Sequence, residues 1–262
     1  MKTDIVGKEK YCDFQRYIIN DGNYSITDSY KKYLKLKQNF FRYFYPFHRL
    51  LIRKYHINIV LQRIKTLSKG KLIDIGCGEK PFYGYVKDKV QEYIGLDHNE
   101  SPHDKSKIDV LGTAYSIPFK DDFFDTALLT QVIEHLEEPK KALNEINRVL
   151  KKDGILILSW PFLYPVHEAP RDFFRYTKYG MQYLANESNF ELIEIEPVSG
   201  FWITLYGFVS LYVYTKSNFL YLLLSPILLV LLAITLILNL IDRNSNSLEK
   251  WTWNYYAVLK KK

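Results

Sequence analysis

Leu72-Ile73-Asp74-Ile75-Gly76-Cys77-Gly78 is an apolar run holding one aspartate, and it leaves through a Gly-x-Gly turn. An apolar stretch of this length, bounded by glycine, reads as a strand buried in a parallel sheet. Glycines at its exit accept backbone angles that a Cβ forbids and let the chain approach a ligand closely. About twenty residues on, Tyr93-Ile94-Gly95-Leu96-Asp97 reads as a second buried strand closing on an acidic side chain. A carboxylate at that point can accept hydrogen bonds from both hydroxyls of a ribose. The pair implies a nucleoside-containing cofactor at the carboxyl ends of parallel strands. A dinucleotide fingerprint would add a third glycine, but Glu79-Lys80-Pro81 follows here, which argues against NAD or FAD.

Working outward, short β-branched runs alternate with helical patterns, as in a parallel sheet with crossover helices. The spacing predicts strands at 71–75, 92–96, 124–129, 155–159, 191–198 and 255–259. Ala142, Leu143, Ile146, Val149 and Leu150 recur at helical spacing after Pro139, and Asp153-Gly154 breaks the pattern. A further helix is expected over 177–188, with Thr177 as its N-cap.

Three more segments carry a resemblance. Ser116-Ile117-Pro118-Phe119-Lys120-Asp121-Asp122-Phe123-Phe124-Asp125 resembles the "LPF-DDSFD" stretch of class I S-adenosylmethionine-dependent methyltransferases of the methyltransferase-11 group. Gln131-Val132-Ile133-Glu134-His135-Leu136 resembles that family's "xVLEHL" turn, and residues 145–154 resemble "EIxRVLKPGG". With the glycine turn, the order matches over roughly residues 70–200. The resemblance implies a Rossmann-like, seven-stranded α/β fold that binds S-adenosyl-L-methionine.

Carried over position by position, it sets the methionine part against Asp74, Gly76, Cys77 and Gly78 and the ribose on Asp97. The adenine region falls to Thr113 and Ala114, after Gly112. Thr130 and Gln131 line the sulfonium side. This chain departs from the family at Lys80, where many relatives have glycine, and at Thr113, where many have aspartate. His135 is read as a packed, hydrogen-bonded structural residue.

After the fifth strand, Trp160 to Thr177 crowds His167, Glu168, Arg171, Asp172, Arg175 and Tyr176 into one loop. Its "P…H…P-x-D-x-x-R-Y-T" pattern resembles a subgroup of these methyltransferases linked to surface glycans or lipids. Such a density of titratable groups beside a cleft marks a functional site. His167 is the candidate general base, for an acceptor that must lose a proton. Arg171, Asp172, Arg175 and Tyr176 are candidate acceptor contacts, Arg171 or Arg175 for an anionic group. An Asp172–Arg175 ion pair organising the loop is the alternative. No metal ligands are assigned.

Composition divides the 262 residues further. Residues 1–70 read as a basic, aromatic helical region, 71–200 as the methyltransferase core, 201–241 as an apolar insertion and 242–262 as a return segment with the last strand. Residues 219–241 hold no charge and are long enough as a helix to cross a ~30 Å hydrocarbon layer. Residues 201–215 are apolar but short, and Lys216-Ser217-Asn218 separates the two. The expectation is a helical hairpin associated with a membrane, inserted before the final strand. The basic residues Lys31, Lys32, Lys35, Lys37, Arg42, Arg49, Arg53, Lys54, Arg63 and Lys65, with a net charge of +7, suit an anionic lipid face. RNA would suit them too, yet no Asn-Pro-Pro-Tyr-type sequence follows the fourth strand, so a nucleic-acid partner is disfavoured. Met1–Lys10 lacks the apolar stretch of a secretory signal. Cys12 and Cys77 form no pairing pattern, which places the catalytic domain in a reducing compartment, the cytoplasm. The predicted activity is methyl transfer to a lipid-linked, glycan or other amphiphilic small acceptor; the alternatives are an RNA methyltransferase and a membrane-bound scaffold without catalysis.

Overall fold

The computed structural model describes residues 47–99, 105–242 and 248–262. Of the basic cluster, Lys31, Lys32, Lys35, Lys37 and Arg42 lie outside the described residues, as does Cys12.

The chain enters through α1 (Phe47–Ile52), a π turn (Arg53–Ile57) and α2 (Asn58–Leu67), and then builds one seven-stranded sheet. Its strands are β1 (Lys71–Ile75), β2 (Glu92–Asp97), β3 (Val110–Leu111), β4 (Phe124–Thr130), β5 (Leu150–Pro161), β6 (Phe190–Pro197) and β7 (Asn254–Lys261). The order is β3-β2-β1-β4-β5-β7-β6, with β7 antiparallel to both neighbours and the first five strands parallel. Strand order reverses beside β1, so β1 and β4 open a crevice at their carboxyl ends, the usual ligand position in such sheets. The expected α/β, Rossmann-like fold is present, and β3, two residues long, is the strand that no sequence pattern marked.

β5 starts earlier than its apolar run. Leu150 pairs with Phe124 and Ile155 with Thr126, so residues 151–154 bulge out of register, turning at Asp153 with φ +62°. The helix before it, α4 (Pro139–Val149, following the single-turn α3 at Tyr83–Val86), starts on a proline and buries Ala142, Leu143, Ile146 and Val149. α5 (Lys178–Glu187) is capped as expected: the Gly180 amide donates to Thr177 Oγ1 at 3.1 Å.

The family's Glu-x-x-Arg pair has a structural task. Arg148 donates to Glu145 (2.9 and 2.7 Å), to Asp121 (2.6 Å) and to the carbonyls of Phe119 and Ile117 (2.9 and 3.0 Å), while Glu145 accepts from the Ile117 amide at 2.8 Å. One side of α4 thus clamps the Ile117–Asp121 segment that follows β3.

Between β6 and β7 the chain makes two helices, α6 (Phe201–Lys216) and α7 (Asn218–Asp242), joined by Ser217 alone and packed on each other. α7 is nine residues longer than α6, yet the Trp202 amide reaches Asp242 Oδ2 at 3.1 Å, so α7 bends; Pro226 removes one helical hydrogen bond. α1 lies along the pair. The Phe47 amide donates to Tyr221 Oη (2.7 Å), His48 Nδ1 meets Ser210 Oγ (3.3 Å), and Asn239 Nδ2 donates to Tyr55 Oη (3.4 Å). Gly207 is where α6 comes closest to the rest of the molecule: a Cβ there would stand 2.1 Å from the Trp253 ring.

The roots of this hairpin are tied by hydroxyls. Thr252 Oγ1 accepts from the amides of Val198 and Ser199 (3.1 Å each) and donates to the Asn254 carbonyl (2.6 Å). Ser199 Oγ accepts from the Trp253 amide (2.8 Å), and Thr204 Oγ1 donates to the Trp251 carbonyl (2.7 Å). The chain therefore leaves the sheet and re-enters it through one polar knot.

Candidate functional site

The carboxyl end of β1 delivers Asp74 and then turns through Gly76 (φ +69°) and Gly78 (φ +49°). A Cβ on Gly76 would stand 2.4 Å from Val132 Cγ2, so only glycine fits between this turn and the segment after β4. The turn is stitched to β2: the amides of Gly76 and Cys77 donate to the Leu96 carbonyl (2.8 and 3.1 Å), and the Gly78 amide donates to Asp97 Oδ2 (2.9 Å). The other Asp97 oxygen accepts from the His98 amide at 2.8 Å.

Asp74 and Asp97 are both buried. Burial pushes the Asp74 carboxyl up to about 7; the hydrogen bond from Tyr93 Oη (2.5 Å) opposes this, and the Asp97 charge adds to it. Two buried acids beside a glycine turn form a negative cradle that a sulfonium bearing an ammonium group and a ribose fits in charge and in donors.

Cys77 sits in this turn, its Sγ 3.7 Å from the Gly78 carbonyl. Its side chain is buried, its thiol is pushed up to about 12 by burial first, and its carbonyl accepts from the Lys80 amide at 2.8 Å. Lys80 itself adopts φ +54° and forms an ion pair with Asp109, whose Oδ2 also accepts from the Gly95 amide at 2.7 Å. This departure from the family thus pins the turn to the segment before β3.

Thr113 is exposed in a turn closed by the Ser116 amide on its carbonyl (3.2 Å), with Ala114 buried beside it. Thr130 ends β4 half-buried. Gln131 follows at φ +54°, and its Nε2 donates to Ser159 Oγ at 3.2 Å, toward β5. His56 Nε2, carried by the π turn, meets the same hydroxyl at 3.3 Å. Nothing in the sequence pattern marked His56.

The acceptor loop is sewn onto the Ile133–His135 turn after β4. The Phe173 amide donates to the Glu134 carbonyl (2.9 Å), and His135 Nδ1 donates to the Arg171 carbonyl (2.5 Å). His167 stands over this turn, its ring 4.9 Å from that of His135 and 5.2 Å from that of Tyr164. Its amide donates to Asp172 Oδ2 (2.8 Å), and its Nδ1 lies 3.3 Å from the same oxygen. Burial holds the imidazole below its usual pKa, which favours the neutral ring.

Arg175 and Asp172 form the ion pair that organises the loop. Arg175 Nη1 and Nη2 reach the two Asp172 oxygens at 2.6 and 2.7 Å, its guanidinium also donates to the carbonyls of Phe174, Pro165 and Tyr164 (2.9, 3.1 and 3.2 Å), and Nη2 meets His167 Nδ1 at 3.5 Å. Burial opposes ionisation of Asp172, but the Arg175 hydrogen bonds hold it down at about 2. As an anion clamp Arg175 is therefore already spent, and Asp172 is enclosed. Tyr176 hands its carbonyl to Trp160 Nε1 (2.8 Å) and buries its hydroxyl.

Glu134, quoted in the sequence only as part of a motif, is fully buried, and neither carboxylate oxygen has a hydrogen-bond partner. Its carboxyl is pushed up to about 8, by burial first; Arg175 opposes the shift while Asp172 and Glu168 add to it.

Residues 73–158 match the family model described as a methyltransferase domain. The chain is 30% identical over 127 residues to the uncharacterized methyltransferase YcgJ of Bacillus subtilis, covering 44% of this chain and 48% of that one. It spans about half the length of the curated relatives it matches. Among solved structures, a SAM-dependent methyltransferase of Thermotoga maritima superposes with a TM-score of 0.50 at 20% identity, covering 87% of this chain and 97% of that one. The [4+2]-cyclase SpnF superposes with a TM-score of 0.53 at 18% identity, covering 82% and 80%. Likeness at that level establishes the shared fold; the family match and the glycine–carboxylate cradle bear on the cofactor. Residues 73–158 therefore match the methyltransferase-domain family, and the chain around them has the class I methyltransferase fold.

Proposed function

We propose that the protein transfers the methyl group of S-adenosylmethionine to a lipid-linked, glycan or other amphiphilic small acceptor while held at a membrane surface. The observation that carries the methyl-transfer reading is the cradle itself, two buried aspartates against a glycine turn, inside the segment that matches the methyltransferase family.

The cofactor supplies a methyl group already activated on sulfur. What remains for the chain is to hold the acceptor in line with it, and positioning alone can contribute on the order of 7–11 kcal/mol at best. The loop of residues 162–177 is the acceptor side, His167 its basic group and Arg171 its cationic contact. Arg175 and Asp172 hold the loop's shape.

The membrane reading rests on α7 and its neighbours. Within the 24-residue stretch Phe219–Asp242, an 18-residue window has mean hydropathy 2.7 and only 22% of its residues are buried. Its open face includes Leu223, Ile227, Val230, Ile234 and Ile237, and α6 adds Leu205 and Val209. Alongside runs α1 with the π turn, where Arg49, Arg53 and Lys54 are exposed and Arg49 lies 5.9 Å from the Tyr214 ring centroid. A full crossing would carry these cations toward the bilayer centre, at about 2.5–3.5 kcal/mol each on insertion scales. An apolar face beside a basic one suits a module lying in the interface of anionic lipid.

The test is incubation of purified protein with methyl-labelled S-adenosylmethionine and extracts of lipids, glycans and RNA. Label appearing in the lipid or glycan fraction is expected. Label confined to RNA, or no transfer to any fraction, rejects the reading.

A further inference from the structure

Beyond methyl transfer, the turn after β4 and the acceptor loop bring three metal-ligating side chains together. Glu134, His135 and His167 each offer a donor atom within 4.8 Å of the others. Both imidazoles present Nε2 to one carboxylate oxygen: His135 Nε2 lies 3.8 Å and His167 Nε2 3.9 Å from Glu134 Oε1. These separations are too long for hydrogen bonds. Four-coordinate zinc with bonds of ~2.0–2.1 Å sets neighbouring donors roughly 3.4 Å apart, so each needs to close by only about half an ångström.

The far side of each ring bears on which nitrogen carries the lone pair. A carbonyl can only accept, so the contact from His135 Nδ1 to the Arg171 carbonyl (2.5 Å) puts the proton on Nδ1 and the lone pair on Nε2. Around His167 Nδ1 stand an acceptor, the Asp172 oxygen at 3.3 Å, and a donor, Arg175 Nη2 at 3.5 Å, so the ring is held in either tautomer and its Nε2 is open to a cation. The three side chains converge, and Glu134 is left buried with both oxygens unpartnered. A cation satisfies all three. Imidazoles held from behind by a carbonyl and a carboxylate are the arrangement that orients metal-binding histidines.

We propose that Glu134, His135 and His167 bind a divalent transition cation of the zinc, cobalt or manganese class. Two nitrogens and one oxygen suit these ions better than magnesium or calcium, which prefer all-oxygen sites. Glu168, with Oε2 3.7 Å from His135 Nε2, stands beside the open side as a further oxygen. Three protein donors leave a position for an outside oxygen, as catalytic rather than structural sites do. Resting on the methyl-transfer reading, that position is for the acceptor: activation passes from His167, whose lone pair is then committed, to the cation, which would lower the pKa of a bound hydroxyl; its proton leaves to the Glu168 carboxylate beside the open side, and the oxygen takes the methyl as the carbon–sulfur bond breaks.

The experiment is equilibrium dialysis of the full chain against Co(II) or Zn(II), with elemental analysis and visible d–d spectra of the cobalt form. About one ion per chain, a tetrahedral or five-coordinate cobalt spectrum and a rise in melting midpoint with the ion are expected. Glu134→Gln and His167→Ala should each weaken binding about a hundredfold or more, since partners one layer further out already cost 10–100-fold. Glu134→Gln also replaces a buried, unpartnered carboxyl by a neutral side chain of the same size, so without metal it should melt no lower than the wild type; if either variant fails to fold, the other reads the same loss. A folded wild type that retains no more cobalt than the double variant overturns the proposal. Calorimetry with S-adenosylmethionine on the same samples separates this from failure of the methyltransferase reading, which would show as absent cofactor binding whatever the metal does.

Discussion

Asp97 accepts from the amides of Gly78 and His98 in the structure, and the proposed ribose makes a further claim on the same carboxylate. Asp97→Asn keeps the size and removes the charge, so the cofactor should lose one charge-assisted contact of about 1.5–3 kcal/mol, a weakening of roughly ten- to a hundredfold by calorimetry. Unchanged affinity would put the ribose elsewhere. Asp74 makes a pH prediction. Its carboxyl titrates at about 7 in the fold against 3.8 unfolded, so between those values the folded state holds the extra proton. Its contribution to stability is then fully present below pH ~4 and is lost as pH rises through ~7. Melting midpoints of the wild type should fall relative to Asp74→Asn across that window, while affinity for the cationic cofactor should rise, because a bound cation favours the ionised acid. Parallel curves for the two proteins would remove Asp74 from the cradle. These acids were legible in the sequence because each closes an apolar strand. The Asp172–Arg175 pair stood among the sequence expectations; the three carbonyls that take up the rest of the guanidinium did not, since no residue pattern says where a loop's own carbonyls turn.

Among the elements, α4 shows what a family motif is for. Glu145 and Arg148 touch no cofactor position; they clamp the segment that follows Thr113 and Ala114. Arg148→Ala should cost on the order of 1.5–3 kcal/mol, lowering the melting midpoint by roughly 3–10 °C. Arg148→Lys should not restore it, because a point charge cannot bond Glu145, Asp121 and two carbonyls at once. A midpoint unmoved by either change would mean the clamp is ornamental. Strong periodicity made α4, α5 and the long strands readable, and Thr177 announced its own cap. β3 was invisible because two residues have no period. The π turn, which carries His56 to Ser159, was invisible because no local pattern marks its extra residue per turn.

At the scale of the molecule, the proposed membrane face is the hairpin and the sheet lies behind it. The apolar face of α7 should carry the protein onto vesicles containing anionic lipid, and Leu223→Asp with Ile227→Asp should weaken that binding more than tenfold per site, given about 1.5–3 kcal/mol for burying each side chain. Equal sedimentation of wild type and variant with vesicles would leave the face to some other role. The apolar length of α7 was plain in the sequence. Its accompaniment by a basic helix from the other end of the chain was not, because contacts such as Phe47 with Tyr221 join residues that no local pattern relates.

Trp253 belongs to the hairpin's root and to the acceptor loop at once. Its indole caps Gly207 on α6, its ring lies 5.6 Å from that of Tyr164, and its carbonyl accepts from the Phe162 amide at 2.9 Å. The helices and the acceptor loop therefore share a pivot, and on the membrane proposal an acceptor drifting within a leaflet would arrive beside it after a search in two dimensions instead of three. The kinetic signature is interfacial activation: turnover that climbs when vesicles are added at constant bulk acceptor, and that a smaller side chain at Trp253 uncouples from the surface.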